Sequence, residues 1–126
     1  MTMITVLVHD EVVRTDQDRI ASLCAQLGNG AAEDVICRAM EELAVRLRKT
    51  EVAFQRDDHA LMRKCARSMI AIADQVGLST LARVAADVAN CVDAMDDVAL
   101  QSTYSRLIRV GDQSLTAVWD AQDLSL

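Results

Sequence analysis

The groups in this chain able to attack a substrate, ligate a metal or carry a proton are few and scattered. His9 and His59 are its two histidines, and Cys24, Cys37, Cys65 and Cys91 its four cysteines. His9 stands beside Asp10 and Glu11, but no second ligand follows at metal-binding spacing, so it reads as an ordinary, partly exposed histidine. No two cysteines stand close together, which argues against both a metal knuckle and a disulfide framework. They read as reduced, buried, small hydrophobes at or near apolar helix positions. Carboxylates are plentiful, yet Glu41-Glu42 and Asp96-Asp97 read as solvated helix faces and caps. A glycine-rich phosphate loop, a nucleophile elbow and a Glu-x-x-His pair are all missing. These readings name no catalytic residue, no metal ligand and no cofactor. The remaining concentration of chemistry is cationic: Arg63, Lys64 and Arg67.

Those cations belong to the stretch Asp58 to Gly77, DHALMRKCARSMIAIADQVG. Read at ~100° per residue, Met62, Cys65, Ala66, Met69, Ala73 and Val76 form one apolar stripe roughly 120° wide. Nearly opposite lie Ala60, Arg63, Lys64, Arg67, Ile70, Ala71 and Asp74, with Arg67 about 160° from the centre of the apolar stripe. The pattern predicts a helix capped by Asp57 or Asp58 and stopped by Gly77. Its outward face mixes small, basic and aliphatic residues, and a purely solvated face rarely carries Ile70 between Arg63 and Asp74.

Four further segments must position that helix. Thr15 is expected to cap a short helix ending at Gly28, with Ile20, Leu23, Cys24 and Leu27 apolar. After an Asn29-Gly30 connection, a second helix is expected from about Ala31 to Gln55, with Val35, Ile36, Met40, Leu43, Leu47 and Phe54 inward. Ser79 is expected to cap a helix carrying Leu81, Val84, Ala85, Val88, Cys91, Val92 and Met95. Asp96-Asp97 starts the last, in which Leu100, Tyr104, Leu107, Gly111, Leu115 and Val118 approximate a 3-4 repeat. Gly111 on that seam implies close packing against a neighbouring helix, since glycine costs ~1 kcal/mol inside a helix.

Long amphipathic helices joined by connections of a few residues predict an all-α fold: an antiparallel four-helix bundle with an additional short N-terminal helix across one end. Residues 1–14 form a poorly readable arm, 15–122 the bundle and 123–126 a tail. A chain of 126 residues with no proline and three aromatics suits one domain with an aliphatic core. The net charge of −6 argues against nucleic-acid binding. The lack of a ~20-residue apolar run or an evident signal peptide argues for a cytoplasmic protein that spans no membrane.

The run from Thr15 to about Trp119 resembles the histidine phosphotransfer (HPt) domain. That family's pattern has a capping Asp, then Ala-His-x-Leu-Lys-Gly, then a Leu-Gly-Ala-type end and a further amphipathic helix. Here Asp58 matches the cap, Ala66 the Ala, Met69 the Leu and Gly77 the terminal glycine, within Val76-Gly77-Leu78 and with Leu81 following. Arg67 stands where the family carries its phosphoacceptor histidine, Ile70 where it carries Lys and Ala71 where it carries Gly. A neutral imidazole has a nitrogen lone pair that attacks an aspartyl phosphate; a guanidinium, protonated near neutral pH, has none. His59 is a poor substitute for it, lying about 12 Å along the helix and roughly 80° around it from Arg67, and reads as an exposed first-turn histidine.

The resemblance therefore implies a degenerate, non-enzymatic HPt-like protein that docks a receiver domain or a histidine kinase of a two-component phosphorelay without accepting phosphate. The expected partner-binding residues are Ala60, Arg63, Lys64, Arg67, Ile70, Ala71 and Asp74, the cations facing a carboxylate-lined pocket. Three alternatives stay open: a decayed site in which Arg67 is merely tolerated; a structural or oligomerisation bundle, a homodimer with no phosphorelay role; and, weakest, phosphotransfer through His59.

Overall fold

The structure is a computed structural model that describes residues 14–124. His9 and all of the expected arm except Arg14 lie outside the described residues. Those residues form an all-helical fold of five helices: α1 (Gln17–Leu27), α2 (Asn29–Gln55), α3 (His59–Gln75), α4 (Ser79–Asp93) and α5 (Asp97–Leu124). The helices α2 to α5 pack in chain order, α2 on α3, α3 on α4 and α4 on α5, while α2 also meets α1 and α5.

The core is aliphatic, as the composition requires. Met40, Leu43 and Leu47 enter it from α2, Met62 and Met69 from α3, Leu81, Val84 and Val88 from α4, and Leu107 and Val110 from α5, all buried. Two aromatic rings close one end, where Phe54 stacks on Tyr104 with centroids 3.9 Å apart and planes 3° from parallel. At Gly111 a Cβ would fall 2.7 Å from Leu47 Cδ1 and 2.8 Å from Cδ2. The close approach expected of this glycine is therefore to α2, whose Leu47 occupies the space a side chain would take.

Three connections share one construction. In each, a residue with positive φ follows the helix, and its own amide and the next one return to the carbonyls of the helix's last turn. Asp57 N–H donates to Phe54 O and Asp58 N–H to Ala53 O. Gly77 and Leu78 repeat this on Asp74 and Ala73, and Met95 and Asp96 on Val92 and Cys91. The positive-φ residues are Asp57 (53°), Gly77 (79°) and Met95 (56°). The residue after each stands immediately before the next helix, at its N-cap position. Asp58 caps α3 by accepting from Leu61 N–H at 3.1 Å, and Asp96 caps α5 by accepting from Ala99 N–H at 3.0 Å.

The other expected caps are corrected. Asp16, not Thr15, caps α1, accepting from Arg19 N–H at 3.1 Å. Ser79 does not cap α4: Leu78 occupies that position, and the Ser79 hydroxyl donates to Arg14 O at 3.0 Å. Asn29 and Gly30 belong to α2 itself, which Gly28 alone separates from α1. The two cap differences belong to one arrangement. The segment before α1 is laced to the α3–α4 turn: Asp16 N–H donates to Gly77 O at 2.6 Å, and Arg14 N–H to the buried Thr80 hydroxyl at 2.7 Å. Arg19 Nε adds a bond to Gln75 O at 3.0 Å. Gly77 is needed twice over, for its φ and because a Cβ there would fall 2.7 Å from Asp16 O.

Candidate functional site

Helix α3 holds the Arg67 face in place through its opposite side. Met62, Ala66, Met69 and Ala73 are fully buried and Cys65 nearly so, which fixes the rotation of the helix about its axis. Arg46 on α2 donates through Nε to the Ser68 hydroxyl and adds a polar tie. With that rotation fixed, Arg67 is exposed near the middle of the helix.

Of the seven expected partner-binding residues, four line one groove. Arg67, Ile70, Ala71 and Asp74 line a shallow open groove of about 510 Å³ together with Ala86, Ala89 and Asn90 of α4. Ala60, Arg63 and Lys64 do not line it; Ala60 and Lys64 are exposed nearer the start of α3. Ile70 is not outward-facing as the angular map had it. It is half-buried and packs against the core, because α4 lies along that side of α3.

Arg63 is also less available than its position implied. Its Nε donates to Asp93 Oδ1 on α4 at 2.6 Å. By contrast, no ion pair or hydrogen bond engages the side chain of Lys64, Arg67 or Asp74 among the described residues. The uncompensated charges that α3 itself shows here are thus Lys64 and Arg67, up to its middle, and Asp74 near its end.

The α4 contribution escaped the sequence reading. Ala86, Ala89, Asn90 and Asp93 recur at i, i+3, i+4 and i+7, a small and polar stripe beside the buried Val84, Ala85 and Val88. The same angular map that drew attention to α3 would have found it on α4.

His59 sits elsewhere. It is exposed in the first turn of α3 and lines a separate cleft with Phe54, Asp57, Asp97, Leu100 and Gln101. Cys65 is buried, but Cys24, Cys37 and Cys91 are only half-buried, so the expectation of four buried thiols is corrected for those three. Among the described residues no cluster of His, Cys, Asp or Glu is arranged to hold a metal ion. No described helix is long and apolar enough to cross a membrane.

Chemically, the groove offers a guanidinium, a carboxylate and an amide around a floor of alanine and isoleucine. It can recognise charge and admit a closely packed neighbour. No family model matches the chain, and neither a curated protein nor a solved structure matches it.

Proposed function

We propose that the chain is an HPt-like signalling protein of the cytoplasm that docks a receiver domain or a histidine kinase and accepts no phosphoryl group. In this reading α2 to α5 form an antiparallel four-helix bundle and α1 lies across one end. The antiparallel order is supported by the three short connections and by the pairing of Arg63, early in α3, with Asp93 at the end of α4.

The observation that carries the functional reading is Arg67, exposed without a charge partner at mid-helix; in the resemblance it takes the phosphoacceptor's place. A cation there suits the carboxylates of a receiver pocket and cannot serve as a nucleophile. Ala71 and Ala89 keep the surroundings low enough for a partner to approach.

The test is calorimetric titration of the full chain with a panel of purified receiver and histidine-kinase dimerisation domains. At least one should bind, and Arg67→Glu should abolish that binding while leaving the helical circular dichroism unchanged. Label transfer from the phosphorylated partner should leave no phosphohistidine. Failure of every domain to bind, or stable phosphorylation of His59, overturns the reading.

A further inference from the structure

We infer that α3 also carries a self-association surface, on which a second copy docks antiparallel with Arg67 of each chain paired to Asp74 of the other. The two residues are seven apart, within about 20° of the same line on the helix and about 10.5 Å apart along its axis. That spacing is too long for them to pair with each other, and neither has another charge partner among the described residues. Both line the groove, and between them lie Ile70 and Ala71.

A two-fold axis passing between Ile70 and Ala71 exchanges positions 67 and 74. An isologous contact about that axis therefore makes two identical Arg67–Asp74 pairs and sets Ile70 and Ala71 at the centre. Ala86 and Ala89 on the α4 rim carry single methyls, leaving room for the incoming helix. Lys64, one turn before Arg67, falls opposite the end of the partner's α3, where helix carbonyls favour a cation. Arg83, exposed on α4 three residues before Ala86, adds a like charge near the incoming Arg67. This opposition and the small area of a two-turn face keep the association weak and salt-sensitive.

The inference does not depend on the receiver reading, although self-association covers the same face and so competes with any other occupant. The experiment is sedimentation equilibrium of the full chain at low ionic strength, up to about 1 mM, the weak limit of specific association. The native protein should show a monomer–dimer equilibrium that salt weakens. Arg67→Asp alone and Asp74→Arg alone each replace two attractions by two repulsions, and should weaken self-association roughly tenfold or more. An equimolar mixture of the two single variants should dimerise again, because each supplies the charge the other lacks. The double variant Arg67→Asp with Asp74→Arg should also recover the dimer while losing any partner that reads Arg67 as a cation. That divergence separates the self-contact from receiver docking. A native chain monomeric throughout, single variants that associate like the native chain, or a mixture of folded single variants that stays monomeric would each overturn the inference.

Discussion

Arg63 on α3 reaches across to Asp93 on α4, its Nε 2.6 Å from Oδ1, and so neutralises one of the three cations in the first half of the helix. Both side chains keep over 40% of their surface exposed, at 42% and 46%, so solvent screens the pair and it contributes little to stability. Its effect is on the charge shown to a partner. Asp93→Ala should change unfolding free energy by no more than about 0.5 kcal/mol. The freed Arg63 should tighten binding of an acidic docking partner about two- to fivefold. Titration against a receiver that binds the native chain measures this. Weakened binding would mean that Asp93 itself contacts the partner.

The contact between Gly111 and Leu47 makes a prediction about packing. Gly111→Ala gains about 1 kcal/mol of helix propensity but drives a methyl into the Leu47 isobutyl group. Overpacking a core typically costs about 1–3 kcal/mol, so a net destabilisation near 1 kcal/mol is expected. Pairing it with Leu47→Val should recover part of that loss, a non-additivity that denaturant unfolding of the four proteins would show. A more stable single variant would show that Leu47 moves aside freely.

Met95 has φ of 56° in the α4–α5 turn and is 86% exposed. A side chain there pays the left-handed backbone penalty and receives almost no packing in return. Met95→Gly should therefore raise stability by about 0.5–1 kcal/mol, read as an upward shift in denaturation midpoint with unchanged slope. Gly77 already occupies the equivalent position between α3 and α4. A loss of stability would indicate that the methionine side chain has a contact in solution.

Tyr104 is the chain's single tyrosine, which makes its titration readable by absorbance. Burial, and secondarily the negative charge of Glu51, raise its pKa above the ordinary value of 10.0. The folded state thus holds the phenolic proton at a pH where the unfolded state has begun to release it. Stability from this group is complete below the unfolded pKa and is lost as pH rises through the folded one. Tyr104→Phe keeps a ring against Phe54 and removes the titration. Relative to the native chain, the variant should lose less stability as pH rises from 9 to about 12. Parallel losses in the two proteins would exclude Tyr104 as a contributor.

Features set by local spacing could be read in the sequence. The buried stripe of α3, a cap at Asp57 or Asp58 and the Gly77 stop each follow from neighbours within a few turns, and the seam position of Gly111 announced a close approach without naming Leu47 as the residue met. What escaped was set by residues far apart in sequence. Thr15 and Ser79 were reasonable caps by type, but the lacing of Arg14 to Thr80 and of Asp16 to Gly77 gave those positions other geometry. Ile70 looked outward on an isolated helix, and α4 covers it. The compensation of Arg63 by Asp93 spans 30 residues, a pairing no helical wheel contains. The candidate groove was half legible for the same reason: its α3 wall lies in one helical segment, while its α4 wall joins it only on folding.

If the chain is the degenerate phosphotransfer protein proposed above, two substitutions should give it phosphoacceptor chemistry. Arg67→His places an imidazole at the exposed mid-helix position, where its free nitrogen can attack a receiver's aspartyl phosphate. Alone it should transfer weakly or not at all, because the family's lysine, the cation that orients the phosphoryl group, is missing. Adding Ile70→Lys restores that charge three residues along the same side of the helix. Ile70 is half-buried against the core, so this second change should cost about 1 kcal/mol of stability. The lysine stem can cover part of the vacated apolar surface while its ammonium reaches solvent. Arg67 is exposed, and its replacement should cost less than about 0.5 kcal/mol. With a receiver shown to bind the native chain, the folded double variant should acquire label at residue 67, located by mass spectrometry, and exceed the single variant in rate. A double variant that binds the receiver and acquires no phosphoryl group would mean that the docked geometry is not that of a phosphotransfer domain, and the reading of α3 as a degenerate phosphotransfer helix would fall.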